Sequence, residues 1–175
     1  MTGGDDPYPA DQLIHDLIAH PRPATEEEIR QIADRIASAP FSTESQRVPV
    51  LERGFTYRGV QFGTLEDSLT LHFVHHVIME AQWAEGTTVE AYVRSLHRAA
   101  HAPQARIALY RQWGERDIAA IIVPTQDVLD PREAGRGSLP NLLVVYRADR
   151  GMLVSGYQFS TIDMVRIPRT ALWLT

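Results

Sequence analysis

Residues 141–159 read NLLVVYRADRGMLVSGYQF, two apolar runs of strand length on either side of the tetrad ADRG. Side chains alternate along a strand, so Leu142, Val144 and Tyr146 share one face while Leu143, Val145 and Arg147 share the other. On the return run Ser155, Tyr157, Phe159 and Thr161 fall together, as do Gly156, Gln158 and Ser160. A polar turn ending in Gly between two such runs predicts an antiparallel hairpin. The segment before it repeats the pattern. ARIALYRQWGERDIAAIIVPT (105–125) reads as two strands joined at QWGER, and LDPREAGRGSLP (129–140) as a polar loop rich in Gly and Pro. Beyond the hairpin, DMVRIP (163–168) and TALWL (170–174) each predict a short strand.

Upstream of Pro103 the period is helical. ADQLIHDLIAH (10–20) spaces Leu13, Ile14, Leu17 and Ile18 for one helix. TEEEIRQIADRIAS (25–38) gives a second, with Thr25 and Glu28 as a capping box and Ile29, Ile32, Ala33 and Ile36 as its stripe. FSTESQR (41–47) reads as a linker and VPVLERGFTYRGVQFG (48–63) as an irregular hairpin of short strands. A third helix starts near Thr64 or Asp67 and runs to about Gln82. A fourth follows AEGTT (84–88), with Thr87 and Glu90 as a second box and Val89, Val93, Leu96 and Ala100 on one face. Helices first and strands afterwards predict an α+β class, with N-terminal helices followed by an antiparallel sheet of four or more strands. The domain division expected is an acidic helical extension over 1–45 and an α+β domain over 46–175.

The chain has 175 residues, 44% of them apolar, enough for one core of ordinary size. The opening MTGGDDPYPADQ lacks the apolar core of a signal peptide, and no run reaches the roughly 18 to 20 apolar residues of a membrane span. The expectation is a cytoplasmic protein with no membrane partner. Without Cys, disulfides and thiolate metal sites are excluded. All 17 basic residues are Arg, so lysine Schiff-base chemistry is excluded and cationic work falls to guanidinium groups, which bind phosphate as a fork. Charge is uneven: 8 Arg against 15 acidic residues over 1–103, and 9 Arg against 7 over 104–175. An acidic front and a mildly basic back fit an anionic ligand on the second half.

Chemistry concentrates in LHFVHHVIMEAQW (71–83), which holds His72, His75 and His76. At about 100° per residue, Val74, Val77, Ile78 and Ala81 form the apolar stripe, with the three histidines, Met79 and Trp83 opposite. A face of imidazoles with a Met and a Trp suits a second contact, be it a sheet edge, a ligand or a partner. Two His pairs at helical spacing, His72/His76 and His97/His101, could also supply four nitrogens to zinc on a helical hairpin, although Arg94 and Arg98 beside the second pair oppose a cation. No dinucleotide fingerprint, P-loop, nucleophile elbow or H-E-x-x-H motif is present, so no cofactor is implied.

A His-bearing helix, a second helix opened by GTT and an antiparallel sheet carrying LVVYRADRGMLVSGYQFS (143–160) resemble the barnase–colicin–RelE-like ribonuclease toxins over residues 54–175. The resemblance implies metal-independent RNA cleavage by attack of the 2′-hydroxyl on the adjacent phosphorus. His72 or His76 would carry acid–base work, Arg147 would contact phosphate, and Tyr157, Ser160 and Thr161 would position the substrate. RNA would be the substrate and a cognate antitoxin or immunity protein the partner. The alternatives are a non-catalytic interaction module, such as an immunity protein, antitoxin or inactive relative, and a His-coordinated zinc protein.

Overall fold

The computed structural model describes residues 8–47, 55–57, 60–62 and 65–174. Four α-helices, a π-helix and nine strands alternate as α1 (Pro9–Ala19), α2 (Glu26–Ser38), β1 (Ser45–Arg47), β2 (Phe55–Tyr57), β3 (Val60–Phe62), β4 (Leu65–Asp67), α3 (Ser68–His72), the π-helix (Phe73–Met79), α4 (Val89–Ala99), β5 (Arg106–Gln112), β6 (Arg116–Pro124), β7 (Asn141–Arg147), β8 (Met152–Phe159) and β9 (Leu172–Trp173). The class is α+β, helices first and sheet second.

The main sheet has five antiparallel strands in the order β8-β7-β6-β5-β9. Its central strands β6 and β7 are the apolar runs IIV and LLVV, in register from Ile118 opposite Arg147 to Pro124 opposite Asn141. On one face Leu142, Val144, Tyr146, Ile121 and Val123 meet Ile14, Leu17, Ile32, Ile36 and Leu96 from the helices. On the other, Leu143, Ile122, Ala120 and Phe159 lie under Val165, with Ile167 and Trp173 of the C-terminal segment packed against them. Residues of α1 and α2, Ile14, Leu17, Ile32 and Ile36 among them, thus share the principal core with the sheet.

Sequence signals account for most of the elements. Pro9 opens α1, where its missing N–H costs nothing. The Thr25–Glu28 capping box is formed in full. The β7–β8 hairpin turns through Ala148, Asp149, Arg150 and Gly151, with Gly151 at φ 66°. Other readings need correction. The second capping residue is Thr88, whose hydroxyl accepts from the Ala91 N–H, one position after the expected Thr87. The expected linker contains β1, paired with β4, because a three-residue strand is too short to leave a periodic signal. DMVRIP gives a 3₁₀ turn over Ile162–Met164 in place of a strand, and TALWL gives β9. Part of the expected 48–63 hairpin lies outside the described residues; β2 and β3 pair within it.

A bulge separates Val145/Ser155 from Tyr146/Leu153, leaving Val154 without a cross-strand partner. That extra residue switches the faces of β8. Leu153 consequently joins the helix-side core, whereas Tyr157 and Phe159 belong to the opposite side.

The free edge of β8, an invitation to strand addition, is closed by side chains and loop. Leu153 donates its N–H to Pro40 O and accepts from the Ser42 N–H, both at 2.8 Å. Tyr92 donates its hydroxyl to Gly156 O at 2.5 Å. The Gln82 carboxamide does both jobs at Gln158, accepting from its N–H at 2.8 Å and donating to its O at 3.1 Å.

Candidate active site at the sheet edge

The histidine run enters from α3, whose N-cap Asp67 accepts the Thr70 N–H at 2.9 Å. At Phe73 the helix widens into seven residues of π-helix, closed by Glu80 N–H to His75 O at 2.9 Å. Such i→i+5 turns are rare and frequently accompany functional sites. Ala81 then takes the left-handed conformation at φ 52° and ends the helix.

The polar loop from Glu133 to Ser138 fixes this end. Ala134 forms an antiparallel bridge with Trp83, while the Gly135 and Gly137 N–H groups donate to Gln82 O and Ala81 O. A Cβ at Gly137 would fall 2.0 Å from Glu80 O and one at Gly135 2.0 Å from Ala81 O, so only glycine permits this approach. The GRGS tetrad (135–138) is a backbone clamp on the histidine helix.

The wider turn changes which side chains face inward. Val74, His76 and Val77 are buried, Ile78 only partly, so His76 belongs to the packed side and not to the face opposite the stripe. Trp83 also lies in the core, stacked edge-on to Tyr92 and donating its indole N–H to Ser95 Oγ at 3.0 Å. Met79 stays exposed.

His76 is the centre of a ring cluster. His75 lies 4.5 Å from it between centroids, Tyr157 of β8 5.1 Å and His72 5.6 Å, all tilted by 24°. Glu80, one turn on, places Oε2 2.8 Å from His76 Nδ1 and Oε1 3.2 Å from His75 Nε2. A carboxylate only accepts, so His76 Nδ1 carries the proton and Nε2 keeps the lone pair. Nε2 has no protein partner among the described residues. Burial pushes the His76 pKa down, with His75 adding to the effect and the Glu80 hydrogen bond opposing it. Burial drives His72 further, to about 3, helped by repulsion from His76 and His75. His72 Nδ1 is buried without a partner among the described residues. Burial raises the Tyr157 pKa; the exposed Arg166 guanidinium nearby opposes that and Glu80 reinforces it.

Of the expected site residues, the structure brings His72, His76 and Tyr157 together. Ser160 and Thr161 follow at the exposed end of β8, with the Ser160 hydroxyl directed to Met164 Sδ at 2.9 Å and no bond to the histidines. Arg147 is elsewhere. It pairs with Met152 whereas Tyr157 pairs with Leu143, four residues or about 13 Å along β7. Its guanidinium is held by Asp149 at 3.2 and 2.5 Å. The His97/His101 pair does not meet His72/His76 either: His97 Nε2 contacts Ala39 O at 2.7 Å and His101 lies 3.0 Å from Asp34. Glu80 and Arg166 were missed. The i,i+4 spacing of His76 and Glu80 was a readable signal, but nothing local marks Arg166.

Among the described residues, one group could hold a metal ion: His75, His76 and Glu80. Comparison with known protein families, with curated proteins and with solved structures finds no match. The site is therefore read on its own geometry.

Proposed function

We propose that the chain cleaves RNA by metal-independent transesterification at His76. The observation that supports this most is a buried imidazole whose Nδ1–H is engaged by Glu80, whose Nε2 is unpartnered, and whose ring stacks on Tyr157. In this reading Nε2 takes the proton of a ribose 2′-hydroxyl, and Glu80 steadies the imidazolium that forms. The 2′-oxygen attacks phosphorus and the bond to the leaving 5′-oxygen breaks. Tyr157, whose raised pKa keeps its phenol protonated at neutral pH, supplies the proton to that oxygen. Products are a 2′,3′-cyclic phosphate and a free 5′-hydroxyl. Arg166, with no ion-pair partner among the described residues, faces the charge developing on phosphorus and takes the part first expected of Arg147.

The stack supplies an aromatic surface beside the reacting group, the feature by which single-stranded RNA is commonly held. The decisive experiment is cleavage of a mixed RNA pool in EDTA, with products examined for cyclic phosphate ends. His76→Gln should lower the rate by about 10² to 10⁴, the usual worth of a positioned acid–base group. Because His76 is held below its ordinary pKa, the acid limb of the rate profile should fall below pH 6.5, where the base becomes protonated. A folded wild type that leaves every RNA intact would defeat the reading and turn attention to a protein partner.

A further inference from the structure

The geometry points to a divalent transition-metal site formed by His75, His76 and Glu80, whose occupation by zinc switches the acid–base centre off. One donor atom from each of the three residues lies within 4.8 Å of the others. Glu80 turns one oxygen to each imidazole, Oε2 2.8 Å from His76 Nδ1 and Oε1 3.2 Å from His75 Nε2, so the three donor groups converge. The donor set also fits. Two imidazoles and a carboxylate are the ligands of open, three-protein-ligand zinc sites, and they discriminate against magnesium and calcium, which prefer all-oxygen shells.

Two further features suit the site to a metal. Two of the ligands, His75 and Glu80, are about one-third exposed, giving an ion a path from solvent. The clamp by Gly135 and Gly137 holds the backbone at Glu80 and Ala81, which limits the rearrangement required.

The metal site stands on these residues alone; its inhibitory effect rests on the ribonuclease reading. A metal drawing on the His76 and Glu80 pair removes the proton acceptor and its supporting carboxylate together. Zinc would then be an inhibitor, and EDTA an activator of any metal-loaded preparation.

The test is titration of the full chain with Co²⁺ alone, followed by its visible absorption, then displacement by Zn²⁺. The expected result is one ion per chain with a low-symmetry cobalt spectrum. His75→Ala and Glu80→Gln, both at partly exposed positions that leave the fold intact by circular dichroism, should each weaken binding at least about 10- to 100-fold, as losing even a supporting partner of a metal does. No spectrum in the wild type, or one that survives both substitutions, overturns the site. In parallel, Zn²⁺ at 100 times its dissociation constant should cut RNA cleavage about 100-fold by mass action, with EDTA restoring it. Cleavage unchanged by bound zinc overturns the inhibitory role. Cobalt binding in a chain that cleaves no RNA overturns the ribonuclease reading and its zinc inhibition while leaving the site in place.

Discussion

Two buried polar clusters sit at opposite ends of the β7–β8 hairpin, and they are built on different plans. At the turn end every group has a partner. Asp11 accepts from the Tyr146 hydroxyl and from Arg35, Arg35 also donates to Gly151 O at 3.2 Å, and its guanidinium stacks 3.7 Å over the Tyr8 ring. Asp117 nearby takes His15 at 2.7 Å and Arg111 at 2.9 Å. At the open end, around His76, one imidazole nitrogen is buried without a partner, another is free to accept, and Arg166 has no carboxylate among the described residues. Unpaired buried polar groups are costly and rare. The saturated cluster ties α1 and α2 to the hairpin turn, whereas the unfinished one keeps polar capacity that the proposed function would use.

Substitutions can break that contrast, beginning with the tether. Asp11→Ala strands Arg35 and Tyr146 in a buried setting, and breaking such a pair costs about 3 to 5 kcal/mol. Urea denaturation should show the full loss; a change below about 1 kcal/mol would show that the turn-end cluster is no tether. At the open end His72→Leu should act through pH. The folded state holds His72 at about 3 against an ordinary 6.5, so between those values the unfolded chain binds more protons. Stability from this residue is complete above pH 6.5 and lost as pH falls towards 3. The wild type should lose about 3 kcal/mol from this group between pH 7 and pH 4, at roughly 1.4 kcal/mol per pKa unit, and His72→Leu should not. Equal slopes in both proteins would mean that His72 is not the buried neutral base described. The smallest effect belongs to Ala81→Gly, which relieves a left-handed residue costing about 1 to 2 kcal/mol but frees the unfolded chain. A net gain of up to about 1 kcal/mol in the same assay is expected; a loss would place the strain elsewhere.

The fold was legible where local chemistry decides structure. The Thr25–Glu28 box, the ADRG and QWGER turns and the alternating runs of β5 to β8 all announce themselves within a few residues. The site was legible only in part, for three physical reasons. The π-helix rotates His76 into the packed side, and a 3.6-residue period cannot foresee that. The bulge at Val154 turns Tyr157 across the sheet although the alternation looks unbroken. Partners such as Gln82 with Gln158, 76 positions apart, meet only through the tertiary fold. Arg147, to which the resemblance gives the phosphate contact, is engaged by Asp149 two residues on, a local pairing that strand alternation does not reveal.

The π-helix also fixes how this protein tolerates insertion and deletion. A wide turn of this kind differs from an α-helix by an added residue, and each residue of an α-helix turns about 100°. Deleting one position between Phe73 and Met79 would restore ordinary helix and leave most of the core contacts within reach. It would also turn the residues before the deletion by about 100° relative to those after it, carrying His72 out of line with Glu80 while His76 and Glu80, three or four positions apart, stay neighbours. The wide turn is therefore what sets His72 and His76 in one ring cluster, and its length is less free than that of an ordinary helix.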